Sequence, residues 1–308
     1  MFDVVVVGGG PAGLSAALLL GRCCRRVLLC DAGTPRNARA AGVHAFLTRD
    51  GADPGEFRRL GRAELAKYDV EIRDVAVRDA KLVDGGFEVD FEGGQQVRAR
   101  KLLLATGVFD QVPAQDGFDA CYGRSVFHCP YCDAWEVRGQ RLAVYTPGGR
   151  GAGLALTLAQ WSADVLLCTD GPARLEPPVR AQLSARGIRV RTERVARLEH
   201  DGGELRRVIF LRGAPESRDA LFFSTGQTQQ SDLARRLGCQ FNRKGTVKTG
   251  RHERTDVPGL FVAGDASRDV QLVVVAAAEG VKAAFAINTE LQKEQEPVNV
   301  TGSAERAG

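Results

Sequence analysis

Six residues constrain this chain's fold more than any others. Gly8-Gly9-Gly10-Pro11-Ala12-Gly13 stand between the β-branched run FDVVVV (2–7) and the apolar stretch LSAALLLGR (14–22). The run reads as a buried strand and the stretch as a helix, so the glycines fill a strand-to-helix turn. VLLCD (27–31) reads as the next strand. Strand, glycine turn, helix and strand form the unit that opens a doubly wound α/β sheet. Gly8 permits the tight turn, Gly10 lets a pyrophosphate approach the backbone, and Gly13 lets helix and strand pack closely. The helix N-terminus offers free N–H groups and partial positive charge to phosphates. Asp31 closes the second strand, where a carboxylate accepts adenosine ribose hydroxyls. A glycine turn alone can be structural, but strand, helix, strand and acid together favour dinucleotide binding.

The pattern then restarts. After a polar stretch (33–62), short strands are expected around 70–77 and 86–91, with a turn at Asp84-Gly85-Gly86, and KLLLATG (101–107) reads as a buried strand. LAVYTPGGRGAG (142–153) is a second strand and glycine loop, LALTLAQW (154–161) a helix and DVLLCTD (164–170) a strand. ALFFSTG (220–226) echoes KLLLATG. The expected fold is therefore α/β, with two Rossmann-like, three-layer nucleotide-binding domains. Near the end, GLFVAG runs into Gly264-Asp265, followed by the apolar helix QLVVVAAAEGVKAAFAI (271–287). The polar tail at 291–308 lacks periodicity and reads as frayed or disordered.

Cys129 and Cys132 sit in FHCPYCDAWE (127–136) and can close a small disulfide ring, with Pro130 restricting the turn. A thiol at a helix start has a lowered pKa, which is expected if Cys132 begins a helix. Zinc normally needs four ligands, a second CxxC is absent, and the histidines (44, 128, 200, 252) are scattered. No metal site is expected. A permanent bridge over so short a loop adds little stability, so redox exchange is the favoured reading. His128 reads equally as a base or a packed ring, and Asp133 as an acid or a helix cap. Cys30 and Cys168 lie in apolar runs and read as core residues.

Composition narrows the class. The 308 residues suit two domains, 44% are apolar and 26% charged, and no run approaches a membrane span. The net charge of +4 is spread along the chain rather than gathered in a stripe, so nucleic acid is not an expected partner. The start MFDVVVV lacks a signal-peptide pattern, and the expected setting is cytoplasmic, where a cysteine pair is more often catalytic than structural.

These pieces resemble the low-molecular-weight thioredoxin reductases and related FAD-dependent disulfide oxidoreductases. GGGPAG (8–13), ATG (105–107), the CxxC followed by Asp, and TDVPGLFVAGD followed by Gln271 and AAAEG occur in family order across nearly the whole chain. The resemblance implies FAD, drawing on Gly8, Gly10, Pro11, Ala12, Gly13, Asp31, Thr106, Gly107, Gly264, Asp265 and Gln271. Asp265 would lie on the ribityl–phosphate side and Gln271 near the isoalloxazine. It also implies a discontinuous FAD domain (1–115 and 245–308), an inserted pyridine-nucleotide-type domain with the CxxC (116–244), and a homodimer. Cys132 would face the flavin, Cys129 would exchange with an outside disulfide, and Asp133 would carry a proton, with His128 alongside.

Two departures concern the electron donor. The family's second loop would put its first glycine at Thr146, ahead of Gly148 and Gly151, and threonine is less free in backbone angle. Where NADPH-dependent members carry a His-Arg-Arg cluster, this chain has Thr169-Asp170-Gly171. Asp170 repels a 2′-phosphate and suits an unphosphorylated ribose. NADPH use is thus expected to be poor or absent, with NADH or NADPH left open. Three enzymatic readings follow: a reductase fed by a donor such as ferredoxin, a dithiol oxidase passing electrons to oxygen, or an NAD(P)H-dependent thioredoxin reductase. HAFLTRDG (44–51) and HCPYC resemble the dithiol-oxidase branch. The partner would be a thioredoxin-like protein or a small dithiol or disulfide. A flavin-bound redox sensor is the non-enzymatic alternative.

Overall fold

The computed structural model describes residues 1–267 and 270–295. The apolar run at the start forms β1 (Phe2–Val7), the helix α1 (Pro11–Arg22), and the next run β2 (Val27–Cys30). Val4, Val5, Val6, Leu28 and Leu29 are fully buried, as strands covered on both faces require. After α2 (Pro54–Leu65) and β3 (Val70–Arg73), a meander follows: β4 (Val77–Val83), β5 (Gly86–Phe91) and β6 (Gln96–Leu104). The strand expected at 70–77 is thus split in two, and β6 starts five residues before KLLLATG. The sheet order is β3-β2-β1-β6-β5-β4. β1 lies parallel to β2 and β6, while β5 pairs antiparallel to β6.

The chain leaves this sheet through β7 (Val108–Asp110) and passes α3 (Phe118–Cys121), β8 (Val126–Phe127) and α4 (Pro130–Asp133). A second parallel unit follows: β9 (Leu142–Tyr145), α5 (Ala152–Leu158), β10 (Val165–Cys168), α6 (Pro177–Ala185) and β11 (Arg189–Arg191). A meander that sequence patterning does not reveal comes next: β12 (Val195–Asp201), β13 (Glu204–Phe210) and β14 (Glu216–Ser217). β15 (Ala220–Phe223) completes the second sheet, ordered β11-β10-β9-β15-β8. The chain returns through β16 (Gln227–Gln229), which pairs antiparallel with β7. These two strands are the outgoing and returning crossings between the sheets.

After α7 (Leu233–Arg236), β17 (Leu260–Val262) pairs parallel with β6 and returns the chain to the first sheet. The last helix, α8 (Val273–Gln295), packs along α1. Ala283, Ala284, Ile287 and Leu291 join Ala16, Ala17 and Leu20 in one core. Residues 291–295 are therefore helical, not frayed, because Leu291 continues the buried face. The remainder of the expected tail, 296–308, lies outside the described residues. No helix among the described residues is long and apolar enough to cross a membrane.

Candidate active site

The first loop is shaped by close approach. Gly8 has φ 114°, and a Cβ there would run into the Ala105 carbonyl; one at Gly13 would run into the carbonyl of Gly8. A Cβ at Gly10 would meet no protein atom within 4 Å, because Gly10 faces open space. α1 begins at Pro11 without a side-chain cap, so its first N–H groups have no partner within the helix. These features border a cavity of about 380 Å³, within the range of ligand sites.

Gly8, Gly10, Pro11, Ala12, Asp31, Thr106, Gly107, Gly264, Asp265 and Gln271 all line this cavity. So do His128, Cys132 and Asp133. Gly13 lies behind the wall, and Cys129 is joined to the lining through Cys132. A cavity lined by a helix N-terminus, by the close-packed turn at Gly8 and by the carboxylates of Asp31 and Asp265 fits FAD. Gly8, Gly10 and the α1 N-terminus would hold the pyrophosphate.

Asp31 is already engaged. Oδ1 accepts from Gly33 N at 2.9 Å, and Oδ2 accepts from Arg58 at 2.7 Å and Arg62 at 3.1 Å. Burial pushes its pKa up, but the Gly33 N–H and the arginines outweigh it and hold the carboxyl below its usual range. Asp265 moves the other way. Burial raises its pKa and Arg36 only partly compensates.

Arg36 is the site residue that sequence reading misses. Its Nε and Nη2 donate to Asp110 at 2.9 and 2.5 Å, and Nη1 donates to Asp265 at 2.8 Å and Gln271 Oε1 at 2.7 Å. Tyr122 OH also donates to Asp110, at 2.6 Å. His128 Nδ1 stands 3.6 Å from the same carboxylate. Burial lowers the His128 pKa to about 4, against the pull of Asp110, so at neutral pH the ring is uncharged and this is not an ion pair. Arg36 lies in the polar stretch after β2, and nothing in its local sequence marks it. Asp110 follows the Thr-Gly of ATG closely, the only available hint.

Cys129 and Cys132 form a disulfide, with Cα atoms 5.3 Å apart. Helix α4 starts at Pro130 with Cys129 as its N-cap, so Cys132 is its third residue and the condition that it begin a helix is not met. The dipole argument for Cys132 therefore falls away in this single turn. Nor is Asp133 the cap, since it ends α4. Burial raises its pKa to about 7, with Glu136 adding to the rise and His44 opposing it. A carboxyl that titrates near neutrality beside a disulfide can give and take a proton there. Cys30 and Cys168 are buried, and desolvation pushes each thiol up to about 12, as inert core thiols require.

The second loop differs from expectation. Thr146 adopts φ −155°, an extended conformation open to any residue, so it is not strained. Asp170 has φ 50° and turns inward: Oδ2 accepts from Tyr145 OH at 2.9 Å and Oδ1 from Val195 N at 2.8 Å. Both oxygens accept hydrogen bonds from the protein, so the side chain is tied to β9 and β12.

A family model for pyridine nucleotide-disulphide oxidoreductases matches residues 2–280. The chain belongs to this family. A thioredoxin reductase of Aspergillus oryzae, aclD, is 31% identical over 94% of this chain and 96% of its own. The crystal structure of an oxidoreductase from Agrobacterium tumefaciens is 33% identical, with a TM-score of 0.89 over 95% of this chain and 99% of that one. The crystal structure of HlmI is 37% identical, with a TM-score of 0.89 over 95% and 93%. As a pyridine nucleotide-disulphide oxidoreductase of the thioredoxin reductase-like kind, the protein is a flavin-dependent disulfide oxidoreductase with two Rossmann-like domains, and its cofactor is FAD.

Proposed function

We propose that Cys129 and Cys132 are the redox pair of this oxidoreductase and that NADPH serves it poorly or not at all. The observation that carries this reading is that Cys132 and Asp133 line the same cavity as the GGGPAG loop and Gly264-Asp265. FAD, when bound, supplies the two-electron store on the other side of that pair. Cys129 meets the substrate. A substrate thiolate attacks Cys129 Sγ, the Cys129–Cys132 bond breaks, and Cys132 leaves as a thiolate. Asp133, with its carboxyl near pH 7, donates the proton that the leaving sulfur takes up. A second substrate thiol then releases Cys129, and the same steps run backwards for an incoming disulfide.

The lack of a cationic cluster at Thr169-Asp170-Gly171 supports poor NADPH use. The same reading takes residues 1–115 with 245–308 as the FAD domain and 116–244 as the inserted domain. It takes a thioredoxin-like protein or a small dithiol as partner, a homodimer as the assembly and the cytoplasm as the setting. Ferredoxin or oxygen would close the electron balance. A second reading, an NAD(P)H-dependent thioredoxin reductase, is favoured by the naming of aclD as a thioredoxin reductase.

The test is anaerobic mixing of the flavin-loaded protein with NADPH, NADH or dithiothreitol while flavin absorbance is followed. Bleaching by the dithiol, abolished in Cys129→Ser, supports the proposal, and reoxidation in air then identifies oxygen as acceptor. Rapid bleaching by NADPH transfers support to the second reading. A protein that binds no flavin sinks both.

A further inference from the structure

We propose that His44 relays protons between solvent and the carboxyl beside the Cys129–Cys132 disulfide, with Glu136 as the bridge and Asp50 orienting the ring. The inference rests on the redox-pair reading and adds a residue from the opposite side of the cavity. His44 Nε2 stands 3.6 Å from Glu136 Oε1, and Nδ1 stands 3.6 Å from Asp50 Oδ1. A ring movement of less than about 1 Å would bring each nitrogen within hydrogen-bond reach. The imidazole lines the same cavity as Cys132 and Asp133 and is only 21% exposed, while Asp50 is 73% exposed and reaches solvent. The imidazole stands beside two carboxylates, Asp50 at 73% and Glu136 at 40% exposed, an arrangement that can orient a tautomer and pass a proton along.

The loop is built to hold this ring. Val43 pairs with Ala52 across it, and Ala45 N donates to Asp50 Oδ1 at 2.8 Å. Ala45 and Thr48 both take left-handed angles, φ 58° and 72°, which non-glycine residues adopt at a cost. A Cβ at Gly42 would come within 3.0 Å of His44 Nε2, so the ring packs over a residue without a side chain. Val43 is buried and Phe46 packs edge-on against Phe57 of α2, which anchors the loop, while Leu47 at its tip is 87% exposed.

The charged and titratable groups around the relay among the described residues are Asp50 on its own loop, and Glu136 and Asp133 on the CxxC segment. Across the cavity stand Arg36, Asp110, Tyr122 and His128, with Arg39 over the Tyr122 ring. The step served is balanced: one dithiothreitol and the enzyme disulfide give cyclic oxidised dithiothreitol and two enzyme thiols. Two electrons pass to the sulfurs. The two protons lost by dithiothreitol are matched by the two that Cys129 and Cys132 gain.

The experiment uses the flavin-loaded protein and dithiothreitol. Disulfide opening is timed by quenching with an alkylating agent and counting modified Cys129 and Cys132 by mass spectrometry. Rates are taken from about pH 5.5 to 9 and divided by the dithiothreitol thiolate fraction. The expected result is a wild-type profile with an inflection near neutrality, which His44→Gln and Glu136→Gln each flatten. Each loses about tenfold at pH 7 while keeping flavin absorbance and melting temperature. Asp50→Asn, which leaves the ring in place, is expected to shift the inflection with a smaller loss, and it carries the test if His44→Gln does not fold. Profiles that superimpose on wild type overturn the relay alone. A wild-type disulfide that stays closed at every pH overturns the redox-pair reading and the relay with it.

Discussion

The guanidinium of Arg36 grips the carboxylate of Asp110 through two bonds, Nε at 2.9 Å and Nη2 at 2.5 Å. The side chains are 13% and 5% exposed, and Asp110 lies on one of the two strands that join the sheets. Removing one member of a buried pair strands the other charge, at about 3–5 kcal/mol. Arg36→Met is therefore expected to lower stability by about 3 kcal/mol, read as a shift in denaturant midpoint. The pH dependence has a definite sign. Arg36 helps hold the Asp110 pKa below its ordinary 3.8, so this contribution is present above about pH 4 and is lost as pH falls further. The variant should therefore lose part of the wild-type protein's acid sensitivity below pH 4, and an unchanged acid limb would count against the pairing.

Asp133 carries the opposite sign. Its folded pKa of about 7 lies above the ordinary 3.8, so its contribution is full below that value and is lost as pH rises through 7. At pH 8.5 the buried charge is a penalty that Asp133→Asn lifts. After allowance for partial solvent access, the gain is about 1–2 kcal/mol. The variant should melt higher than wild type at pH 8.5 and level with it near pH 4, while disulfide opening by dithiothreitol at pH 7 slows by about tenfold or more. An equal melting difference at both pH values would show that the carboxyl does not titrate there.

What could be read in advance follows from how local each constraint is. Gly8 and Gly13 are readable because a tight strand-to-helix turn leaves them no room for a side chain, and Gly10 because a ligand approaching the helix start needs that space. Cys129 and Cys132 are readable because a separation of three residues already brings them into reach. Arg36 is not, since its partners Asp110 and Asp265 lie 74 and 229 positions away and only the folded sheets unite them. The direction of Asp170 is equally hidden, because Tyr145 and the Val195 N–H turn it inward. Residues 291–295 were legible in principle: Leu291 follows Ile287 at a helical interval, and the polar residues between them mask the continuing face.

Asp170 gives a test of the second domain. Its two oxygens satisfy Tyr145 OH and Val195 N, so Asp170→Ala leaves two donors without their acceptor and is expected to cost about 1–3 kcal/mol. Removing the negative charge should nevertheless leave flavin reduction by NADPH within about twofold of wild type, since the side chain supports the fold rather than facing a ligand. Thermal melting and anaerobic stopped-flow absorbance measure the two effects. A large gain in NADPH reduction with unchanged stability would show that Asp170 had been guarding a working nucleotide site.

Gly10 and Gly13 separate ligand contact from packing. A methyl group at Gly10 meets open cavity, and the backbone there (φ −80°, ψ −176°) suits alanine, so the flavin-free protein should unfold as wild type does. That methyl group occupies the approach to the α1 N-terminus, so Gly10→Ala should weaken FAD binding at least about tenfold, or about 1.4 kcal/mol. Gly13→Ala instead drives its methyl into the Gly8 carbonyl and forces helix from strand, so it should lose about 1–3 kcal/mol of stability even without FAD. Chemical unfolding of the stripped proteins and FAD titration by fluorescence give both quantities. Wild-type affinity in Gly10→Ala would place the pyrophosphate elsewhere, because no protein atom stands between that methyl group and the space the phosphates need.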